Sequence, residues 1–388
     1  PLQNKVVSSM LRQCLAVMRR EVYYLWRDKG LRKILLAGSL LGLLVFYATY
    51  SAQVLKGIPT AIVDLDCSRE SRQLVEDISN TENLKVVANP GSFAEVEELI
   101  QRGEVVVGVV IPENYAKSVS LRRQVNLAVI IDGSNMIYAT NAANTVLAIT
   151  GTINAQAGIK TLIAGGMHPD QAREAFSSVT FREEPWFNPT LNYAYFLVLA
   201  LALNVWQQCC MLTACMNIIG ETGRKSWSLL KAAGVSKFMF FFSKSIVQIA
   251  LFILTVLPVY YLSFNVFKLP LACSFWVFLL FTLAFALALH ATGTLVSSFS
   301  RNAVNSTRFG MIIAVPSFIL CGYTWPLEAM PQIVQQAAWV LPQTWFFQGI
   351  NYLTFKDPGW TFMAPFFSAL LVIAVLSYTA AALIASRS

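Results

Sequence analysis

The sequence predicts an α-helical polytopic membrane protein with six transmembrane helices and an extracytoplasmic α/β domain between the first and second spans. Three observations lead to this fold class. Of the 388 residues, 56% are hydrophobic and only 13% are charged, whereas soluble domains carry about 25% charged residues. Charge-free runs long enough to cross a bilayer recur along the chain. The first two runs are separated by a segment in which strand-like and helix-like patterns alternate.

Residues 1–33 are predicted to form a cytoplasmic, basic amphipathic helix. Apolar residues recur at helical spacing from Val6 to Trp26, and Arg12 and Arg19 fall outside that stripe. Such a helix directly before a span is expected to lie in the plane of the inner membrane interface. A helix that binds a partner protein is an alternative interpretation, and the two are compatible.

A spanning helix needs about 20 predominantly apolar residues. Six charge-free runs are predicted to be full spans, and the domain limits that follow are 34–55 for the first helix and 185–388 for the other five. A seventh run, 329–355, contains two prolines and five glutamines. It is therefore predicted to form, within 326–356, two short outer helices that enter the membrane part-way and are covered by protein. The six full runs are 34–55, 185–220, 245–267, 269–300, 309–327 and 358–386.

The Lys and Arg residues in short loops predict the orientation. Residues 1–33 hold eight of them, the 221–244 loop holds five, and Arg301, Arg308 and Arg387 add three. Only three acidic residues lie on the same side. Both termini are therefore expected in the cytoplasm of a multi-pass protein. The net charge of +8 is then a signal of topology, so no nucleic-acid partner is predicted.

Residues 56–184 are predicted to form the α/β domain on a helical stalk. "TAIVDLD", "EVVVGVVIP" and "VNLAVIID" have the pattern of buried strands, and "LKVVA" that of a weaker one. The two stretches between them have helical spacing, with Ser68 and Ser92 as N-caps and Gly103 as a C-cap. A long helix is expected from about Ser134 to Ala164.

The sequence offers no set of residues for catalysis or metal binding. Asp64, Asp66 and Asp132 end predicted strands, where aspartates usually form turns. With two histidines in the chain, a Ser–His–Asp set has no support. Most of the seven cysteines lie in apolar runs, where a thiol behaves as a small hydrophobe. No catalytic residue, no metal ligand and no disulfide framework is predicted.

Six stretches together resemble the permease subunits of bacterial ATP-binding-cassette (ABC) exporters, specifically the class with six spans and a large domain after the first. "RREVYYLWRDKGLR", "AIVDLDCSRESRQLVEDI", "GVVIPENYAKSV", "NLAVIIDGSN" and "FNPTLNY" are similar to that class in order and placement. "CGYTWPLEAMPQIVQQAAWVLPQTWF" carries its most specific pattern. The resemblance covers essentially the whole chain. One departure is "ETGRKSWSLLKAAGVS", in which only Glu221 and the Leu229–Leu230 pair follow the family's pattern clearly.

The resemblance implies a transporter subunit in the bacterial cytoplasmic (inner) membrane that is not itself an enzyme. It would move a hydrophobic or amphipathic compound, such as a drug or lipid, out of the cytoplasm or inner leaflet. Two ABC ATPase subunits, carrying the ATP and Mg, would drive it. A second permease copy, identical or similar, would complete the transporter, and a periplasmic adaptor protein is a further partner expected for export across a double envelope. Membrane lipid surrounds the chain.

The stretch "GETGRKS" tests whether the chain has a nucleotide site of its own. A phosphate-binding loop needs Gly, four residues, and then Gly-Lys-Ser/Thr after a strand. If Gly223 is the second glycine, the first position is Ile218 and the lysine position is Arg224. No strand precedes the stretch, so no cofactor is predicted in this chain.

Three groups of site residues follow from the sequence and the resemblance. A short cytoplasmic coupling helix within 221–237 would dock on the ATPase subunit, and a helix lying on lipid is its alternative. Polar residues inside spans would line the substrate pathway, with interhelical hydrogen bonding without substrate contact as the alternative. The outer segment would form a gate. The coupling residues are Glu221, Trp227, Leu229 and Leu230; the pathway residues are Asn204, Gln207, Gln208 and Gln248; the gate residues are Gly322, Pro326, Glu328, Met330, Pro331 and Pro342.

Two other function classes stay open at this point. A membrane receptor or anchor could dock an envelope partner through the same outer domain without transport. An intramembrane enzyme is weaker, because the chain lacks a recognisable catalytic set. His290 inside a predicted span is expected to be a hydrogen-bonding group between helices rather than a proton carrier.

Overall fold

A computed structural model describes residues 2–50, 56–121, 123–176, 185–223 and 236–387. The chain divides into two compact units. One combines Pro1–Ser51 with Pro185–Ser388, and the other is Ala52–Glu184. We call them the helical unit and the α/β unit and describe each by itself.

The helical unit begins with α1 (Leu2–Arg27), α2 (Lys29–Lys33), a π-helical turn (Ile34–Gly38) and α3 (Ser39–Thr49). The predicted helix over 1–33 is thus interrupted at Asp28. The Asp28 carboxylate accepts a hydrogen bond from the Leu31 backbone N–H at 3.0 Å and caps a new helix. Because α2 continues into α3, the first candidate span is Lys29–Thr49 and begins before residue 34.

Helix α1 leaves several of its described apolar residues on the outside of the helical unit. The side chains of Leu15, Tyr23 and Trp26 are exposed, whereas Val17 and Glu21 are buried where α1 packs against a later helix. This arrangement is opposite to that of a soluble surface helix, whose apolar stripe faces the core. The predicted helix is therefore confirmed over most of its length, and its location in the membrane interface stays a prediction.

The α/β unit alternates strands and helices as the sequence predicts. Its strands form one sheet in the order β2 (Leu84–Ala88), β1 (Ile58–Asp64), β3 (Val107–Ile111) and β4 (Ala128–Ile131). Strand β1 is parallel to β2 and β3, and β4 is antiparallel to β3. Its location on one side of a membrane stays a prediction. The elements are β1 (Ile58–Asp64), α4 (Arg69–Ser79), β2 (Leu84–Ala88), α5 (Phe93–Gln101), β3 (Val107–Ile111), α6 (Tyr115–Ser120), β4 (Ala128–Ile131), α7 (Met136–Ala164) and α8 (Pro169–Phe176).

The predicted caps and turns of this unit are confirmed. Ser68 and Ser92 accept hydrogen bonds from the N3 backbone N–H groups of α4 and α5, and Gly103 has a φ of +71° just after α5. The Asp64 and Asp132 carboxylates accept backbone N–H groups in the turns that follow their strands. Hydrogen bonds from the backbone and side chain of Ser134 lower the pKa of Asp132.

The prediction of a buried strand at "VNLAVIID" is wrong in extent and burial. Strand β4 has four residues, none of them fully buried. The reason is its position, because an edge strand has only one neighbour and its outer side is not covered by another strand. By contrast, all five residues of the central strand β3 are buried.

The rest of the helical unit consists of long apolar helices with short connections. With α2–α3, the described residues contain six helices long and apolar enough to span a membrane, as predicted. The elements are α9 (Tyr193–Ala214), α10 (Ile219–Gly223), α11 (Lys237–Tyr261, continued by a π-helical turn to Val266), α12 (Phe275–Phe299), α13 (Ala303–Leu320), a 3₁₀ turn (Leu327–Ala329), α14 (Gln332–Val340), α15 (Pro342–Phe355) and α16 (Trp360–Arg387).

Two of these spans begin earlier than the charge-free runs suggest. Helix α11 starts after its N-cap Ser236, and α13 after its N-cap Asn302, whose side chains accept N3 backbone N–H groups. Capping side chains fix where a helix starts, so Lys244 and Arg308 lie within helices. The assignment of Lys244 to a cytoplasmic loop is therefore wrong.

Aromatic side chains fill the core between α9, α11, α12 and α15. The Phe285 and Phe346 rings stack with centroids 3.9 Å apart, and Phe281 stacks on Phe346 at 5.7 Å. The buried Trp206 indole N–H donates to the Phe252 carbonyl at 3.2 Å. This core holds α15 inside the helical unit. Two short helices, α14 and α15, thus occupy the segment predicted for them, while their depth in a membrane stays a prediction.

Close packing of α9 against α12 depends on Gly293. A Cβ atom at this position would lie 2.4 Å from the Ala214 Cβ and 3.1 Å from the Ala214 carbonyl carbon. Because backbone atoms cannot rotate away, Gly293→Ala is expected to lower the free energy of unfolding by about 1–3 kcal/mol. The measurement is the thermal unfolding midpoint of the purified protein in detergent.

Gly220→Ala is the matched control, because its Cβ would meet only Met216 side-chain atoms, the nearest at 3.8 Å. Equal midpoints for the two variants would contradict the proposed close packing of α9 against α12.

Candidate functional site

Two separate clusters of buried and partly buried polar side chains lie in the described part of the helical unit. The ion cluster consists of Arg20, Glu21, Glu221 and Lys244, and the amide cluster consists of Asn204, Gln207, Gln208 and Gln343. The first lies where α1, α10 and α11 meet, and the second joins α9 to the start of α15.

Glu221 is held on two sides in the ion cluster. Its Oε2 accepts a hydrogen bond from Arg20 Nη2 at 2.9 Å, and its Oε1 accepts one from Lys244 Nζ, also at 2.9 Å. The Glu221 and Lys244 side chains are 2% and 4% exposed. A residue predicted to act at the ATPase surface therefore has its carboxylate inside the helical unit, between α1 and α11.

Glu21 supplies the second carboxylate of the cluster. Its Oε1 lies 3.9 Å from Lys244 Nζ and accepts a hydrogen bond from Gln248 Nε2 at 2.8 Å. Lys244 and Gln248 are four residues apart on α11, so they share one helix face. The Lys244 ammonium thus lies between two carboxylates that come from α1 and α10.

The charges of the ion cluster balance, with two carboxylates and two cations. A lone buried charge is strongly unfavourable, whereas a paired and hydrogen-bonded one is tolerated. Burial by itself would lower the pKa of Arg20, but the hydrogen bond and charge of Glu221 outweigh it, so the pKa is raised. The guanidinium is therefore a permanent cation that offsets one carboxylate.

A hydrogen-bonded chain extends from the ion cluster across three spans. Gln248 Oε1 lies 2.8 Å from His290 Nε2 on α12, and His290 Nδ1 lies 2.7 Å from the Tyr378 hydroxyl on α16. Because the amide nitrogen of Gln248 already donates to Glu21, its oxygen accepts, and His290 Nε2 must carry the proton. A neutral ring then accepts at Nδ1 from Tyr378. His290 links three helices through hydrogen bonds, as the sequence predicts.

The C-terminal end of α9 is anchored to the same region. Lys244 Nζ donates to the Asn217 carbonyl at 2.9 Å, and Asn217 Nδ2 donates to Thr294 Oγ1 at 3.0 Å. Ser297 Oγ accepts the backbone N–H groups of Ile218 and Ile219 at 3.0 Å each. These bonds satisfy backbone groups left over between α9 and α10, so α10 is fixed to α12 as well as to α11.

The amide cluster brings together three of the four predicted pathway residues. Gln207 Nε2 donates to Asn204 Oδ1 at 3.1 Å and to the Ala314 carbonyl of α13 at 3.0 Å, and Gln208 Nε2 donates to Asn204 at 3.3 Å. Gln343 Nε2 donates to Gln207 Oε1 at 3.2 Å. Gln207 and Gln343 are fully buried. Gln248, the fourth predicted pathway residue, belongs instead to the chain that starts at the ion cluster.

The predicted gate residues lie on the turn before α14 and at the starts of α14 and α15. Gly322 has a φ of +81°, and a Cβ there would come within 2.6 Å of Leu327 Cγ, so only glycine fits. Pro326 is the N-cap of the 3₁₀ turn and Pro331 that of α14, while Pro342 is the first residue of α15.

Glu328, the remaining acidic gate residue, does not cap a helix. Glu328 lies inside the 3₁₀ turn and its side chain is exposed. The Met330 carbonyl instead accepts a hydrogen bond from Gln335 Nε2 at 2.9 Å. This bond ties the turn to the first helical turns of α14.

A family model describes the chain. Residues 34–383 match the model of the ABC-2 family of transporter proteins, which is most of the 388 residues. This chain belongs to the ABC-2 transporter family. The match includes the α/β unit and all of the helical unit except residues 1–33 and 384–388.

Relatives of this ABC-2 chain extend over nearly its full length. It is 22% identical over 376 residues to "Probable multidrug ABC transporter permease YbhR" of Escherichia coli, covering 96% of this chain and 98% of the relative. It is 26% identical over 375 residues to "Inner membrane transport permease YhhJ" of the same organism, covering 92% and 94%. A third relative, "Probable multidrug ABC transporter permease YbhS", is 22% identical over 291 residues, covering 74% and 72%.

Three predicted coupling residues of this ABC-2 protein, Trp227, Leu229 and Leu230, lie outside the described residues, as does most of the predicted 221–237 helix. The fourth, Glu221, lies in α10, which ends at Gly223. Lys237 belongs to α11 rather than to the coupling segment.

Sequence reasoning missed Arg20, Glu21, Lys244 and Gln343 as site residues. In the sequence, Arg20 and Lys244 serve only as evidence of topology. Two signals were available, namely the adjacent opposite charges at Arg20 and Glu21 and the i, i+4 spacing of Lys244 and Gln248. Neither signal identifies a partner 200 residues away, so the cluster becomes evident only in the folded chain.

The ion cluster predicts a strong effect of Lys244→Met. The change leaves the buried Glu221 and Glu21 carboxylates with one cation between them, and breaking a buried pair usually costs about 3–5 kcal/mol. We expect a corresponding loss of unfolding free energy, measured by thermal unfolding in detergent.

Lys268→Met is the control, because Lys268 is an exposed lysine, and it is expected to have little effect. Adding Glu21→Gln to Lys244→Met removes the uncompensated charge and should recover part of the loss. Equal stability of the two single lysine variants would refute the buried ion cluster.

Proposed function

We propose that this ABC-2 chain is the permease subunit of an ABC exporter that moves a hydrophobic or amphipathic compound out of the cytoplasm or inner leaflet. Separate ABC ATPase subunits, which bind the ATP and Mg, drive it. Family membership and the relatives' names, which include a probable multidrug ABC transporter permease and an inner membrane transport permease, support a transport role. Neither supports the alternative of a receptor or anchor.

The observation that carries the coupling part of the proposal is the burial of Glu221 in the ion cluster. Glu221 lies three residues before residue 224, the first of the segment that contains Trp227, Leu229 and Leu230. Because its carboxylate is bonded to α1 through Arg20 and to α11 through Lys244, displacement of α10 would be passed to both helices. We infer that Glu221 transmits force inside the permease, while Trp227, Leu229 and Leu230 contact the ATPase.

The orientation of the proposed transporter rests on the distribution of charge. Sixteen of the 29 Lys and Arg residues, but only three acidic residues, fall on the side that holds the ion cluster and both termini. The rule that basic loops stay inside puts this side in the cytoplasm, where an ATPase can bind. The α/β unit would then lie on the opposite side of a bacterial inner membrane.

The pathway part of the proposal rests on the amide cluster. Polar side chains inside spans usually face protein or a cavity, and here Asn204 and Gln208 are partly exposed while Gln207 is buried. We propose that the face formed by Asn204, Gln207 and Gln208 lines the substrate path at the centre of a permease dimer. The segment from Gly322 to Pro342 would form its outer gate, and a periplasmic adaptor is a further proposed partner.

Trp227→Ala tests the coupling proposal. The chain is reconstituted in proteoliposomes with the ABC ATPase that co-purifies with it, and two rates are measured, vanadate-sensitive ATP hydrolysis and ATP-driven movement of the amphipathic dye ethidium. We expect Trp227→Ala to reduce dye movement at least tenfold per ATP hydrolysed, because the proposed contact surface is lost.

Trp276→Ala, which removes a tryptophan that is 74% exposed in α12, is the control and should preserve coupling. If no ABC ATPase co-purifies with the chain, the proposed function is overturned. Unchanged coupling in Trp227→Ala at normal expression would overturn the role of the 224–235 segment alone.

Gln207→Cys tests the pathway. In a background without the native cysteines, we expect a water-soluble thiol reagent to label Cys at this position in at least one nucleotide state, because alternating access would open the amide cluster to water. Ala202→Cys is the control, because Ala202 is fully buried on α9, less than two helical turns before Gln207. It should remain unlabelled. Absence of Gln207→Cys labelling in every nucleotide state would argue for a purely structural amide cluster.

A further inference from the structure

The α/β unit contains a groove that its own helices leave open. Helix α5 covers one face of the sheet, where a Cβ at Gly108 would come within 2.2 Å of Val96 Cγ1. On the other face, Leu74 of α4 and Ala142 of α7 pack against the strands. Between α4 and α7 remains a cavity of about 1130 Å³.

The floor of this groove is apolar. It is formed by the buried Leu74 and by the partly buried Val125, Leu127, Val129 and Val146, all of which border the cavity. Exposed apolar surface is unfavourable in water, at about 25 cal/mol per Å². A concave apolar floor of this kind is typical of a binding site for a compound with an apolar part.

One wall of the groove is acidic. Glu70 and Asp77 lie on α4 and border the cavity, and their spacing of seven residues puts both on one helix face. The Tyr115 side chain, only 6% exposed, lies beside them. Burial raises the pKa of the Tyr115 hydroxyl, and the nearby charges of Asp77, Asp66 and Glu70 raise it further. The hydroxyl is therefore neutral, and this wall favours a cationic group.

Two basic residues border the same groove. Arg123 follows α6 and Lys160 lies near the end of α7, and both border the cavity. In the part of the α/β unit that the structure describes, neither forms an ion pair with Glu70 or Asp77. The two acidic and two basic side chains are all exposed at the groove and together carry no net charge.

We propose that this groove binds a zwitterionic amphipath with a single hydrocarbon chain, of the lysophosphatidylcholine type. The hydrocarbon chain lies along the floor between Leu74 and Val146. The ammonium group lies at Glu70 and Asp77. The phosphate lies at Arg123 and Lys160. This chemistry matches the acidic and the basic side chains of the groove at once, which a fatty acid or a simple cationic drug does not.

This site is independent of the transport function proposed above, because it needs neither nucleotide nor an ATPase subunit. It lies wholly within the α/β unit. The proposal of this binding site and the proposal of transport can therefore be refuted independently of each other.

The test uses the full chain in nanodiscs with a lysophosphatidylcholine that carries a photoactivatable diazirine in its hydrocarbon chain. After irradiation, labelled peptides are identified by mass spectrometry. We expect labelling in residues 115–129 and 146–161. Ala157→Trp, which fills the groove at a cavity-lining residue, should reduce that labelling at least tenfold. Ala148→Trp, at an exposed alanine of α7 that does not border the cavity, should not.

A second arm tests the headgroup chemistry. A diazirine fatty acid of equal chain length should label the groove at least fivefold less, and Glu70→Gln with Asp77→Asn should lower lysophosphatidylcholine labelling by a similar factor. Thr150→Trp is a second groove-filling variant if Ala157→Trp elutes as an aggregate. Labelling confined to the spans, or unaffected by both tryptophans, would overturn the site. Equal labelling by the fatty acid would overturn the zwitterionic assignment.

Discussion

The Lys244 ammonium between Glu221 and Glu21 is the interaction on which the described part of the helical unit depends most. Two opposite charges at about 4 Å attract with about 4 kcal/mol when the effective dielectric constant is about 20. Separating them inside an apolar bundle would in addition leave unpaired charges, which is the larger cost. Helix α1, the turn at α10 and the start of α11 therefore have to stay together as long as the bundle is folded.

This constraint explains several features that seem unrelated in the sequence. Helix α1 turns Glu21 and Val17 inward and leaves Leu15, Tyr23 and Trp26 outside, because the paired charges are satisfied only against α10 and α11. The hydrogen-bonded chain from Gln248 through His290 to Tyr378 supplies hydrogen-bond partners to the polar groups that lead away from Glu21. Each acceptor along this chain has a donor, and the donors come from α11, α12 and α16 in turn.

The sequence was sufficient for features that depend on local patterns. The six spans, the strand and helix order of the α/β unit, and the caps at Ser68 and Ser92 follow from hydrophobic periodicity and from side chains that bond to their own helix. The family resemblance extended this to a transporter, and the family match confirms it. Span limits were less predictable, because Ser236 and Asn302 start their helices well before the apolar runs.

Features that depend on distant pairs were not predictable in this way. Arg20 and Glu221 are 201 positions apart, and Gln207 and Gln343 are 136 apart, so no local pattern connects them. A charge count treats Lys244 as one more basic residue on the side predicted to be cytoplasmic. In the folded chain, its ammonium lies between the Glu221 and Glu21 carboxylates. Strand β4 shows the same limit, because the pattern of "VNLAVIID" cannot indicate that the strand lies at a sheet edge.

The two clusters differ in what they allow the helices to do. The ion cluster resists separation because every rearrangement that breaks it exposes a net charge. The amide cluster contains no charge, and an amide can exchange one partner for another or for water at a net cost of about 1 kcal/mol per hydrogen bond. Both are attached to α9, since Gln207 lies within it and Asn217 follows its end. A displacement applied at α10 would therefore move the ion cluster as one body, and the change in helix packing would occur where α9 meets α13 and α15 through neutral amides. In the proposed transporter, this division would assign rigidity to the end proposed to receive force from the ATPase and adaptability to the end proposed to meet the substrate.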